Sequence, residues 1–305
     1  MLSTGRAAEQ DDRFDPTAVR CVGLIAALHK RRVASAVREV VAWFEAREVR
    51  PLLFADQARA LSLPHLGAAG SDLPDAADML LAMGGDGTFL AAARVGAPRG
   101  KPILGINLGG FGFLAAVPQA GMLDSLAEVM AGRMRVEERM MAAARVLRLD
   151  AEVGSFIALN DIVIGKGAFS RLLHFQTSIS GEPLSHFPAD GMIIATPTGS
   201  TAYSLAAGGP VVSPAVRALI ITPICPHALS ARTLVVPPEC VIEITLPDPG
   251  EEEVILTADG QEGLALRPGD RVEVREASFS ARLICLEGTS FYAKLRGKLG
   301  WMGPR

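Results

Sequence analysis

The chain has 305 residues, room for two domains of ordinary size, with a formal net charge of −3, 49% hydrophobic and 21% charged residues. A balance this close to neutral, with no basic stripe, argues against nucleic-acid binding; no apolar run reaches the roughly 18–20 residues of a membrane span, and the polar start from Met1 to Phe14 lacks the apolar core of a signal peptide. Cys21, Cys225, Cys240 and Cys285 are far apart and form no CxxC pair, so they read as reduced thiols of a cytoplasmic protein rather than as zinc ligands or disulfide partners.

After a polar lead-in at 1–19, the first half alternates strand-like and helix-like segments. Val22 to Leu28 predicts a strand, Val33 to Ala46 a helix with Val37, Val40, Val41 and Phe44 on one side, and Arg50 to Phe54 a second strand. Asp78 to Met83 is apolar without alternation after its first residue, as expected of a strand buried on both faces of a parallel sheet, and Lys101 to Asn107 follows as another strand. Strands alternating with helices in this way predict a Rossmann-like, doubly wound α/β domain over 20–140. From there the runs Val146 to Leu149, Phe156 to Ile164, Leu172 to Ser180, Met192 to Thr196, Ile242 to Leu246, Val254 to Thr257, Val272 to Arg275 and Leu283 to Leu286 predict a β-rich, β-sandwich-like domain over 141–285. The last stretch, 286–305, with Lys294, Arg296 and Lys298 among apolar residues, reads as a helix that packs back on the first domain.

Directly after the doubly buried strand comes Gly84-Gly85-Asp86-Gly87-Thr88, followed by the helix-forming run Phe89 to Arg94. A glycine turn from a strand's C-terminal end into a helix lies where open α/β sheets bind ligands. Its glycines let a ligand come close to the backbone, and the free amides of the helix start attract phosphate. A carboxylate in that turn can accept the proton of an attacking hydroxyl. Taken alone, the same run is also compatible with a tight turn that Asp86 merely caps. No G-x-x-x-x-G-K-[ST] occurs, so this is not a P-loop; Gly110 to Ala115 fits a dinucleotide fingerprint only formally, with Pro118 against a long helix there.

Residues 189–210 place the turn Asp190-Gly191 before a short apolar strand, then a hydroxyl-rich loop with Thr196, Thr198, Ser200 and Thr201, then Tyr203 and Gly208-Gly209-Pro210. Small donors beside one aromatic surface suit a nucleotide, though a polar surface loop has the same composition. Paired with Gly84 to Thr88, this cluster resembles the NAD kinase family. Further matches run in the same order: Gly105-Ile106-Asn107 with Gly112-Phe113-Leu114, then Leu159-Asn160-Asp161, Pro226 to Arg232, and Asp259-Gly260-Gln261.

The resemblance implies the two-domain architecture shared with diacylglycerol kinases, and transfer of a phosphoryl group from ATP, or polyphosphate, to the 2′-hydroxyl of the adenosine ribose of NAD. It implies Mg²⁺ with the donor, and a homodimer or homotetramer. By the same resemblance Asp86 is the proton acceptor, and Gly84, Gly85, Gly87 and Phe113 surround it. Asn160 and Asp161 hold NAD near the reacting ribose, and Asp190 serves the nicotinamide half. Thr198, Thr201, Ala202, Tyr203, Ser204 and Ala206 form the loop around the nucleotide, Gln261 contacts ligand, and Arg171 stands near the phosphates. His227 reads as a structural histidine. Three places depart from the family pattern: Pro188 stands where relatives often carry an Arg that bears on the choice between NAD and NADH, Ala206 replaces a common Ser, and Gly109-Gly110-Phe111 is looser than the usual sequence before Gly112-Phe113-Leu114. Two competing readings share the Gly-Gly-Asp-Gly turn: a lipid kinase of the diacylglycerol or sphingosine type, and a non-enzymatic dinucleotide-binding regulator. The chain carries no Cys/His-rich lipid module or basic amphipathic segment to favour the first, and it keeps Asp86, which disfavours the second.

Overall fold

The computed structural model describes residues 14–29, 33–109, 112–115, 117–167, 173–228, 230–246, 253–288 and 290–300, apart from the side chains of 185–187. The first half contains the strands β1 (Cys21–Ala26), β2 (Arg50–Phe54), β3 (Gly67–Ala68), β4 (Met79–Gly84), β5 (Pro102–Asn107) and β6 (Val117–Pro118). Between them run the helices α1 (Val33–Glu45), α2 (Ala55–Ala60), α3 (Asp72–Ala76), α4 (Asp86–Gly96) and α5 (Met122–Met130). Parallel pairing puts β5, β4, β1, β2 and β3 side by side in that order. The chain reverses its direction of travel across this sheet between β1 and β4, so the carboxyl ends of those two strands flank the switch-point crevice.

Burial explains the unbroken apolar run of β4. Met79, Leu81 and Met83 pack on the face covered by α1 and α5, whereas Leu80 and Ala82 pack on the face covered by Phe89, Leu90, Ala92 and Ala93 of α4. In α1 the buried set Val33, Ala36, Val37, Val40, Val41 and Phe44 follows helical spacing and lines one side.

The second half holds β7 (Met134–Arg148), β8 (Ala151–Ala158), β9 (Asp161–Lys166), β10 (Leu173–Ile179), β11 (Glu182–Ala189), β12 (Gly191–Ala195), the short helix α6 (Tyr203–Ala206) and β13 (Leu219–Ile224). It continues through β14 (Leu234–Val236), β15 (Ile242–Thr245), β16 (Val254–Ala258), β17 (Glu262–Leu266), β18 (Arg271–Leu286) and a last helix, α7 (Phe291–Leu299). Six strands form an antiparallel sheet in the order β14-β13-β12-β9-β16-β17. It stacks on β7, β10, β15 and β18: Ile162, Ile164, Met192, Ile194, Leu219, Leu256 and Ala258 meet Ala142, Ala144, Val146, Phe175, Ile244, Val272 and Val274 in one core. This is a β-sandwich, as the succession of short strand-like runs predicts.

The two halves share a sheet. β18 pairs with β15 and β7 in the sandwich, shifts register between Glu276 and Ser280, and then pairs in parallel with β5 through Arg282 and Leu283. The runs at Val272–Arg275 and Leu283–Leu286 are therefore two ends of one strand. Conversely, the single run expected from Phe156 to Ile164 is broken at Leu159-Asn160, where the backbone amides turn to the carboxylate of Asp259.

Gly105 in β5 has no room for a side chain: a Cβ there would lie 2.7 Å from Ala115 Cα and 2.8 Å from a ring carbon of Phe89. Gly105→Ala should cost about 1–3 kcal/mol of stability by overpacking. Urea unfolding checks it, and an unchanged midpoint would show that this approach is not a constraint.

Candidate active site

Gly84 closes β4, Gly85 caps α4, and Asp86 is the first helical residue, so the carboxylate stands at the carboxyl edge of the parallel sheet. Gly84 lies so close under the helix that a Cβ would fall 2.1 Å from Thr88 Oγ1. An open cleft of about 470 Å³ lies between the ends of β1 and β4, lined by Ala26, Ala27, His29, Gly85, Gly87, Thr88 and Gln261 among others.

Asp86 is held by the segment after β5. Phe113 N–H donates to Oδ2 at 2.9 Å, and Leu114 and Ala115 N–H donate to Oδ1 at 3.0 and 3.3 Å. Gly112 makes this approach possible, since a Cβ there would lie 2.2 Å from Asp86 Oδ1. The last helix reaches the same place: Lys294 Nζ donates to Phe113 O at 2.9 Å, Lys298 Nζ sits 4.3 Å above the Phe113 ring, and it lies 3.9 Å from Asp86 Oδ2. Sequence reasoning had α7 pack back on the first half, but gave Lys294 and Lys298 no part in the site, because nothing local in the tail says which residues they meet.

The second half supplies a buried acidic corner beside α4. The turn between β16 and β17 carries Asp259, whose carboxylate accepts the amides of Leu159, Asn160 and Asp161 at 3.0, 2.7 and 3.2 Å. Asp161 is 5% exposed. Burial, and then the neighbouring charge of Asp259, push its carboxyl up to about 7. Burial also raises Asp259, against the three amides that favour its charged form. From the same turn, Gln261 Nε2 donates to Gly87 O at 2.7 Å. Asn160 and Asp161 are thereby tied, through one short turn, to the helix that begins with Asp86.

The hydroxyl-rich loop packs just beyond. Thr196 Oγ1 donates to Leu159 O at 2.5 Å, and Gly199 sits where a Cβ would lie 2.0 Å from Asn160 O. Thr198 and Thr201 line a water-sized cavity with Phe113, Leu114 and Lys294, so this loop meets the Asp86 segment directly. Ser204 is fully buried and its hydroxyl pairs with Thr222 Oγ1 at 2.9 Å, so what it can offer a ligand is backbone. Ala206 is exposed, and Ala202 stands at the turn into α6. Tyr203, 46% exposed, lines a second open cleft of about 470 Å³ with Val163, Lys166, Asp190 and Thr257. Lys166 Nζ lies 2.7 Å from Asp190 Oδ1 across that cleft. Arg171 lies outside the described residues. His227 has its backbone amide on Pro188 O at 2.9 Å, a structural contact.

An open α/β sheet with a glycine–aspartate turn at its switch point, closed by a sandwich that brings an acidic corner and a hydroxyl loop to the same place, defines a nucleotide-handling two-part protein. Residues 22–134 match the ATP-NAD kinase N-terminal domain and residues 159–286 the ATP-NAD kinase C-terminal domain. An NAD kinase of Moorella thermoacetica is 48% identical over 93% of this chain and 90% of its own length, and one of Geobacter sulfurreducens is 41% identical over 92% and 98%. Among solved structures, yeast NADH kinase complexed with NADH superposes with a TM-score of 0.86 at 27% identity, covering 94% of this chain and 89% of the other. An NAD kinase from Archaeoglobus fulgidus in complex with ATP gives 0.71 at 25% identity over 93% and 99%. The chain belongs to the NAD kinase family.

The raised carboxyl of Asp161 ties stability to pH. The folded state binds this proton more tightly than the unfolded chain does, so the associated stability is fully present below about pH 4 and is lost as pH rises through about 7. Asp161→Asn, an uncharged near-isostere, should gain stability relative to wild type as pH goes from about 5 to 8 in urea unfolding. A difference between the two proteins that stays constant over that interval would contradict it.

Proposed function

We propose that the chain transfers the γ-phosphoryl group of ATP to the 2′-hydroxyl of the adenosine ribose of NAD, with Asp86 as proton acceptor. The observation that carries this reading is the position of Asp86. It is the acidic residue of the first turn of α4, at the switch-point edge, within one turn of chain from the corner that holds Asn160 and Asp161. Of its two oxygens, Oδ1 takes two backbone amides and Oδ2 takes one, which leaves Oδ2 a lone pair for an incoming hydroxyl. As the 2′-oxygen attacks the γ-phosphorus, the bond to the bridging oxygen breaks, ADP leaves, and the hydroxyl proton passes to Asp86.

Asn160 and Asp161 serve the ribose by hydrogen bonding, and Tyr203 offers a ring for stacking beside Asp190 and Lys166. Thr198, Thr201 and the backbone of 202–206 wrap the nucleotide, and Gly84, Gly85 and Gly87 let phosphate approach the free amides of α4.

Magnesium belongs to the same proposal. Among the described residues no three His, Cys, Asp or Glu side chains converge. That suits an ion that usually keeps its waters and is bound through one or two carboxylates plus substrate phosphates. Bound through the phosphates of ATP, the ion would supply neutralisation of phosphate charge, and the lone pair left on Asp86 stays with the hydroxyl. A homodimeric or homotetrameric assembly, service in the cytoplasm, and use of polyphosphate as an alternative donor complete the proposal. Pro188, in β11 where relatives often carry Arg, bears on the choice of NAD over NADH.

NADP⁺ formation from NAD⁺ and Mg-ATP tests the reading. Wild type should turn over, and Asp86→Asn should lose at least ~100-fold in kcat, the ordinary scale of general-base catalysis. Lack of NADP⁺ from folded wild type with either donor, together with turnover of a diacylglycerol or sphingosine acceptor, would replace NAD kinase by lipid kinase.

A further inference from the structure

The turn between β16 and β17 does more than close a hairpin. Asp259 and Gly260 both have left-handed φ, 52° and 62°, the combination that lets a tight hairpin turn match strand twist. Asp259 commits its own carboxylate to the amides of 159–161, and its N–H donates back to Asp161 O at 2.9 Å. The chain just after the tip is fastened in the opposite direction. Gln261 Nε2 donates to Gly87 O at 2.7 Å, and its Oε1 accepts from Arg94 Nη2 at 2.5 Å. Arg94 Nε also faces Glu262 Oε1 at 3.1 Å, and its side chain is only 15% exposed.

Arg94 stands two turns along the helix that Asp86 begins. Its guanidinium grips the two residues that follow the tip of the turn, and its charge acts on the buried carboxylate of Asp259. Its Nη1 is buried and reaches no acceptor among the described residues. A rigid fork explains why an arginine serves here: one planar group reaches an amide oxygen and a carboxylate together, which an ammonium on a flexible stem does not.

We infer that Arg94 and Asp259 are positioning residues for the phosphoryl acceptor, fixing through the 258–262 turn the separation between Asp86 and the Asn160–Asp161 corner. This rests on the reading of Asp86 and Asn160–Asp161 as the acceptor site. Neither residue touches the reacting atoms. Their effect is to hold apart, at one fixed distance, two groups that come from different sheets, and errors of about 1 Å in such a placement can cost 10²-fold.

The test uses the full chain and the variants Arg94→Ala, Arg94→Lys, Gln261→Ala, Asp259→Asn and the double variant Arg94→Ala/Gln261→Ala. Steady-state kinetics with NAD and with ATP are read beside thermal midpoints and amide hydrogen exchange at residues 159–161. In Arg94→Ala and Asp259→Asn, kcat/KM for NAD should fall by roughly 10- to 100-fold, while KM for ATP moves by less than about threefold. Arg94→Lys should not restore it. The double variant should lose less than the sum of the two single losses, because Arg94 acts in part through Gln261. Exchange at 159–161 should quicken in both Asp259→Asn and Arg94→Ala. Wild-type kinetics in the stable variants, additive losses in the double variant, or equal losses toward both substrates in step with the thermal midpoint would overturn the inference. If wild type itself forms no NADP⁺, the acceptor reading fails; exchange at 159–161 in Arg94→Ala then decides whether the turn positions that corner, quickened exchange supporting it and unchanged exchange overturning it.

Discussion

The site depends on a carboxylate that is used for architecture. Asp259 lies in a largely buried corner and accepts three consecutive backbone amides, and that concentration of donors is what makes an acidic side chain tolerable there. The same contact interrupts the chain between β8 and β9 and ties Asn160 and Asp161 to the turn that reaches α4. Burial, and then the charge of its neighbour, push the carboxyl of Asp161 up to about 7. Two acids so close therefore divide the labour: one is locked by amides, and the other keeps a proton that can be lost near neutral pH.

Around this corner, close approach is managed by glycine. Gly112 lets the Phe113 segment reach Asp86, and Gly199 lets the hydroxyl loop rest on Asn160. In both places a single methyl group would collide with the residue that the proposed chemistry uses. The lysines of α7 then press on Phe113 from outside, so the carboxylate of Asp86 is bounded by backbone amides on one side and a cation on the other.

Much of this was legible in the sequence, where local periodicity or a local motif carried it. The run Asp78 to Met83 read as doubly buried because both faces of β4 do pack against helices, and the glycine–aspartate turn read as a strand-to-helix site because it is one. The paired motifs, with further matches in the same order, led to the family. What stayed hidden was long-range. The strand β7 was recognised only at its end, since Met134 to Ala143 mixes charged residues and alanines that carry no strand signal until β18 lies beside them. β11, β13, β14 and β17 were not read, and Pro223 within β13 is a residue that ordinarily argues against a central strand. Arg94 was legible only as the end of the helix-forming run that starts at Phe89. Its partner Gln261 lies 167 positions away in sequence, and no local pattern names it.

The shared strand also has a consequence for biogenesis. At Pro102 and Ile103, β5 obtains its outer neighbour only when Arg282 and Leu283 arrive, long after β5 itself has been made. Until then a nascent chain presents an unpaired hydrogen-bonding margin at Pro102 and Ile103, the kind of surface on which chains associate wrongly. The strand that joins the two layers is thereby also the one that closes this margin against wrong association.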